Sequence, residues 1–214
     1  MKTFSKWTTA EVVEEFKLHK DLDNRRLKAW TTTDIRPTDF EIQLLNHLQM
    51  RLHDRVYAWS ERELAANLID PILSVIDFNQ DLYHAFWERE LSVSYKDERL
   101  YGFVDLVVAN GEFVPKHPYF FIQEFKKEVE ASNDPLGQLL VAMVVAQMLN
   151  EGTHPIYGAY VRGRYWHFVL LEGATYAVHA GFNALTEDIQ KILGVLKNTK
   201  SVVDELAEIH SGAE

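Results

Sequence analysis

The chain of 214 residues contains no cysteine. That absence excludes a disulfide framework, thiolate catalysis and cysteine-ligated zinc, so any bound metal must be held by oxygen or histidine ligands, which favours a hard cation. The sequence also lacks an uninterrupted apolar run of about 18 residues, the length a membrane-crossing helix needs. Its opening segment, MKTFSKWTTAEVVEEF, turns acidic and amphipathic where a signal peptide would be apolar. These features read as a soluble, cytoplasmic protein with no membrane partner. The nine histidines form no HExxH pair, which argues against zinc. The absence of GxxxxGK(S/T) and GxSxG argues against an NTPase and a serine hydrolase. Positive charge is short: 22 Lys and Arg stand against 32 Asp and Glu, a net charge of -10. That is the wrong sign for coating nucleic acid through many phosphate contacts. It leaves room for a local basic cleft, or for a divalent cation where carboxylates cluster.

Apolar material is plentiful, at 47% hydrophobic and 12% aromatic residues, enough for one sizeable core and a single domain over 1–214. Capping boxes mark helix starts at Thr8 with Glu11, Thr38 with Glu41 and Ser60 with Glu63. Apolar residues at helical spacing then predict helices from Thr38 to about Trp59 and from Ser60 to Val75, with a break or kink at Pro71. After Asp77 the period falls toward two, giving strands at Leu91 to Tyr95, Phe103 to Ala109 and Tyr119 to Phe125, with a turn signal at Asn110-Gly111. Asp134-Pro135 reads as a cap and first turn for the apolar helix LGQLLVAMVVAQMLN. Strands at Ile156 to Val161 and Tyr165 to Leu171 follow, and a tail helix runs from Thr186 to about Ile209, with a break suggested near Asn198. The organisation is α/β: an N-terminal helical extension (1–59), a core (60–171), and a C-terminal strand and helix (172–214).

Charge interrupts the apolar strands at two places. Side chains alternate faces along a strand, so in YFFIQEFKKE the residues Phe120, Ile122, Glu124 and Lys126 share one side, and Phe121, Gln123 and Phe125 the other. Asp105 sits inside FVDLVVA, where a buried carboxylate is costly unless a partner or cation stabilises it. Antiparallel pairing would bring Asp105 to Glu124, and two carboxylates with waters suit Mg²⁺. Such a cation polarises a phosphoryl oxygen and acidifies a bound water, while Lys126 orients that water or stabilises developing charge.

An acid on one strand and Glu-x-Lys on the next, here Asp105 and Glu124-Phe125-Lys126, resembles the PD-(D/E)XK nucleases of restriction-endonuclease-like fold. The order of helix, three strands, helix and strand from about Ser60 to Val161 is similar to that family's αβββαβ core. The resemblance implies a mixed sheet flanked by helices, extra N-terminal helices and a C-terminal helix. It also implies Mg²⁺ or Mn²⁺ bound by Asp105 and Glu124, Lys126 on the catalytic-base side, and hydrolysis of phosphodiesters in nucleic acid, DNA before RNA. Gln138 matches a helix glutamine that points at the site in several members. Glu63 matches an accessory acid on the helix before the first strand, with Glu90 as its rival. Val104 stands where the pattern has Pro, a departure that removes no catalytic group. Nucleases that cut both strands often pair two sites, so the resemblance extends to a homodimer.

Plainer readings exist for each residue. Asp105 can be a strand-end residue that faces solvent or bonds a loop, Glu124 and Lys126 can lead into the solvated run KKEVEAS, Gln138 can be a polar surface residue at a helix start, and Glu63 is already explained by its capping box. Arg162 and Arg164 bracket Gly163 in a turn that is solvated or reaches phosphates. The alternative at the level of function is a non-catalytic module that keeps the fold and binds nucleic acid or a protein partner.

Overall fold

Thr8, Thr38 and Ser60 accept hydrogen bonds from the backbone amides of Glu11, Glu41 and Glu63, and each glutamate reaches back, so the capping boxes form as their spacing predicts. A computed structural model describes residues 2–129 and 134–212 of the chain. Its helices are α1 (Thr9–Phe16), α2 (Arg25–Thr31), α3 (Asp39–Arg55), α4 (Glu61–Leu64), α5 (Asp70–Ile76), α6 (Pro135–Leu149) and α7 (Asp188–Ser211). Between α4 and α5 the chain makes a π-helical segment, Ala65–Ile69, so the expected helix over 60–75 is one rod with a local change of bonding pattern. Pro71 lies just beyond that change and the rod continues through it. The tail helix α7 is likewise unbroken at Asn198, whose amide donates to the carbonyl of Trp30 at 2.8 Å.

The strands are β1 (His19–Lys20), β2 (His84–Tyr95), β3 (Glu98–Asn110), β4 (Lys116–Lys126), β5 (Ile156–Arg162), β6 (Tyr165–Glu172), β7 (Thr175–Val178) and β8 (Phe182–Asn183). They form one mixed sheet in the order β1-β7-β6-β5-β4-β3-β2, with β8 also paired to β6. β4 and β5 run parallel, as do β1 and β7, and the remaining pairs are antiparallel. The fold is therefore α/β with helices on both faces of an open sheet. α6 crosses from β4 to β5 and is buried from Leu139 through Ala146 against one face, together with Phe4 and Val12. Helices α2 to α5 and α7 cover the other face around Leu52, Leu68, Phe121 and Trp166. Among the described residues, no helix is long and apolar enough to cross a membrane.

Two details depart from strand alternation. β2 and β3 are longer than their apolar runs predict and join through Lys96 and Asp97, both left-handed at φ 48° and 61°. The second departure is a bulge: Val108 pairs with Phe121 but Ala109 with Tyr119, leaving Phe120 as an extra residue. Phe120 consequently joins Phe121 in the core beneath α7, while Ile122 faces α6; the expected shared face of Phe120 and Ile122 is corrected. From Ile122 onward regular alternation resumes, so the bulge sets which face Glu124 occupies.

Candidate active site

β3 and β4 pair no further than Leu106 with Gln123, and one residue beyond that pair a side chain takes over. Asp105 Oδ2 accepts from the backbone amide of Phe125 at 2.8 Å. The carboxylate thus satisfies an amide that the end of the ladder leaves unpaired, and it is held beside β4.

Glu124 is fully buried and faces the first turn of α6, where Gln138 Nε2 donates to its Oε2 at 2.6 Å. The Asp134 side chain caps that helix by accepting from Gly137, and a Cβ on Gly137 would lie 2.5 Å from the Thr9 amide, so this end of α6 packs closely on the start of α1. Gln138 is therefore aimed by a fixed helix end. The other oxygen, Glu124 Oε1, is buried and has no hydrogen-bond partner among the described residues.

Asp105 and Glu124 lie close enough for each carboxyl to shift the titration of the other. Burial, followed by the negative charge of Asp105, pushes the Glu124 carboxyl well above the usual carboxylate range, while Lys126 pulls the other way. Burial also raises Asp105, against the Lys126 ammonium, the Phe125 amide and the neighbouring Glu124 carboxyl. Two neighbouring acids in a desolvated place cannot both stay ionised without a proton or a cation between them. Lys126 is 9% exposed at its side chain; its Nζ donates to the Phe125 carbonyl at 3.1 Å and lies 3.7 Å from Glu61 Oε1.

Asp105, Glu124, Lys126 and Gln138 are thus brought together. Glu63 and Glu90 are not. Glu63 Oε2 accepts from the Ser60 amide at 2.9 Å and hydroxyl at 2.8 Å, which engages it in the cap of α4. Glu90 lies on the β2–β3 hairpin, paired with Arg99. The helix acid that meets Lys126 is Glu61. The sequence held a clue: a capping box claims the glutamate three residues after Ser60, and a residue two positions earlier points about 200° away around the helix axis.

A cleft of about 800 Å³ opens onto Asp105, lined by Arg62, Asp70, Trp87, Glu88 and Phe125 among others. Glu88 faces Asp105 across the hairpin with φ 52°, a left-handed conformation that is uncommon for a residue with a side chain, and its charge adds to the upward push on Asp105. At the other side of the site the Arg162-Gly163-Arg164 turn lies against the end of β4. The Gly163 amide donates to the Lys126 carbonyl at 2.9 Å and the Arg164 amide to Glu128 at 3.0 Å.

Among the described residues, no group of three or more His, Cys, Asp or Glu side chains is arranged to hold a metal. The orphaned Glu124 Oε1 beside Asp105 instead offers a pair of carboxylates, which suits an ion such as Mg²⁺ that keeps several of its waters. No family model matches this chain, and no curated protein matches it by sequence.

Proposed function

We propose that the chain is a metal-dependent nuclease of PD-(D/E)XK type with a restriction-endonuclease-like core, hydrolysing phosphodiester bonds in nucleic acid, DNA before RNA. The observation that carries this reading is the fully buried Glu124, held on one oxygen by Gln138 and left without a donor on the other, beside Asp105 and two residues from Lys126. A surface ion cluster would not orphan a buried carboxylate oxygen, since such an atom costs roughly 1–3 kcal/mol or more if nothing meets it.

In this reading Asp105 and Glu124 hold Mg²⁺ or Mn²⁺, which when bound polarises a phosphoryl oxygen and acidifies a water. Gln138 fixes the Glu124 carboxylate so that its free oxygen keeps one direction. Lys126, held by the Phe125 carbonyl and facing Glu61, positions a water or stabilises charge that develops on phosphate oxygens. The cleft beside Asp105 opens one member of the pair toward the side of Trp87, and Glu124 lies buried behind it.

A second reading, a fold-retaining binding module without catalysis, is favoured by one contact: Asp105 already caps the Phe125 amide, a structural use for its charge. The assay that separates the two uses the purified chain on plasmid and single-stranded DNA, with Mg²⁺, with Mn²⁺ and with EDTA. The nuclease reading expects metal-dependent cleavage that Asp105→Ala abolishes with the fold intact. Equal cutting by Asp105→Ala and wild type would show that the activity arises elsewhere.

A further inference from the structure

The turn after β5 carries an arrangement that the cleavage chemistry does not use. Arg164 lies between two tyrosine rings, its guanidinium 5.5 Å from the centroid of Tyr57 and 5.1 Å from that of Tyr165. Its Nη1 donates to the Tyr57 hydroxyl at 3.0 Å, and its Nη2 pairs with Glu128 at 3.2 Å. The turn is fixed in place. Gly163 has φ 54°, and a Cβ there would fall 2.0 Å from a Glu128 carboxylate oxygen, so Glu128 packs directly on the turn.

This stack is placed by the sheet. Lys126 pairs with Arg162 on β5, and Arg162 with Tyr165 on β6, so Tyr165 lies two strands from Lys126, about 10 Å at the usual spacing. Yet the rings are open: Tyr57 is 65% and Tyr165 40% exposed. A cleft of about 340 Å³ continues beside Tyr165, lined by Arg162, Tyr160 and His167, whose rings stack at 4.5 Å. Two aromatic rings, held by one arginine at the end of the same sheet as the acid pair, thus keep ring surface open to solvent.

We infer that the Tyr57–Arg164–Tyr165 stack is a platform for the bases of single-stranded nucleic acid, which it feeds to the Asp105–Glu124 pair; this rests on the proposed nuclease function. Unpaired bases are the partner that fits. In a duplex the base faces are covered by one another and cannot reach a tyrosine ring, whereas in a single strand each base has a free face to stack on an aromatic side chain. Glu128 neutralises Arg164, and the chain carries a net charge of -10, so phosphate attraction alone does not hold a duplex here.

The test is fluorescence anisotropy of the full chain in EDTA with short labelled oligo(dT), oligo(rU) and a blunt duplex of equal length. Single strands bind more tightly than the duplex, and Tyr57→Ala and Tyr165→Ala each weaken that binding about tenfold. Tyr165→Phe, which keeps the ring, binds as wild type does. The ratio of oligo(dT) to oligo(rU) affinity identifies the sugar. Equal duplex binding, no single-strand binding, unchanged affinity in the alanine variants, or equal loss in Tyr165→Phe would each overturn the platform. Because EDTA removes the metal, these outcomes are separate from the cleavage assay. Binding without metal-dependent cleavage sinks the nuclease reading and spares the platform, and cleavage with a duplex preference does the reverse.

Discussion

Gln138 on the first turn of α6 and Glu124 on β4 meet across 2.6 Å in a place where neither reaches bulk water freely. The bond ties the orientation of the acid to the start of a helix, so the strand does not set it alone. Replacing Gln138 with Leu removes the donor and leaves both carboxylate oxygens unmet. A loss of about 1–3 kcal/mol is expected, read as a drop of roughly 2–4 °C in melting temperature for each kcal/mol in a chain of this size. Unchanged melting in Gln138→Leu would mean that the Glu124 carboxyl finds another donor.

Asp105 and Glu124 repel each other when both are ionised. In EDTA, Glu124→Gln keeps an oxygen for Gln138 and removes the cost of holding a second buried acid beside Asp105, so the variant melts no lower than wild type and by about 2–4 °C higher if the relief is near 1 kcal/mol. In millimolar Mg²⁺ the order reverses, because wild type alone gains stability from ligand binding. Thermal melts with and without metal decide it, and a parallel response of the two proteins would separate Glu124 from any cation.

Glu61 meets Lys126, whereas Glu63 is engaged by the cap at Ser60. Glu61→Gln should slow cleavage roughly tenfold, equivalent to about 1.4 kcal/mol of transition-state stabilisation, with little change in melting because the long 3.7 Å pairing with Lys126 is partly exposed at the glutamate. Glu63→Ala should leave the turnover number alone and cost about 0.5–2 kcal/mol in stability through the lost cap. A kinetic defect in the second variant, with none in the first, would return the accessory role to Glu63.

Stability should fall on mild acidification through histidine. His154 is buried, its Nδ1 donates to the Pro155 carbonyl at 2.8 Å, and its Nε2 accepts from Asn150 at 3.2 Å, an arrangement that suits the neutral ring. Burial, helped by the neighbouring His210, lowers its pKa. The unfolded chain takes up a proton near the ordinary value of about 6.5 while the folded chain resists it, so stability is full above that pH and drains as pH falls below it. His167 and His179, lowered mainly by burial, add slope of the same sign. Melting curves between neutral pH and pH 5 check this; His154→Gln should flatten part of the slope, and a steeper slope in the variant would contradict it.

Asp105, Glu124 and Lys126 were legible in the sequence because a charge inside an apolar strand is costly and so stands out against its neighbours. Gln138 was legible through Asp134-Pro135, which fixed where α6 begins. Glu61 was missed because a pattern of spacing cannot tell which of two helix acids has been engaged by a cap, although the Ser60 box named Glu63 for that role. Long β2 was hidden for a different reason: HAFWERELSVSY mixes polar and apolar residues on partly exposed faces, so no clean alternation appears. The Lys96-Asp97 turn carries none of the Asn-Gly signal usual for two left-handed residues. The bulge at Phe120 leaves no mark in a run of three aromatic residues, and the two-residue strands β1 and β8 acquire their identity only from the partners they meet.

The π-helical segment at Ala65–Ile69 sets the aim of Glu61 by length as well as by chemistry. A rod with one residue fewer between Leu64 and Asp70 would close into ordinary α-helix and turn everything ahead of it by about 100°. Deleting Ala66 would therefore swing an unaltered Glu61 away from Lys126, disarming that contact without changing a single functional group.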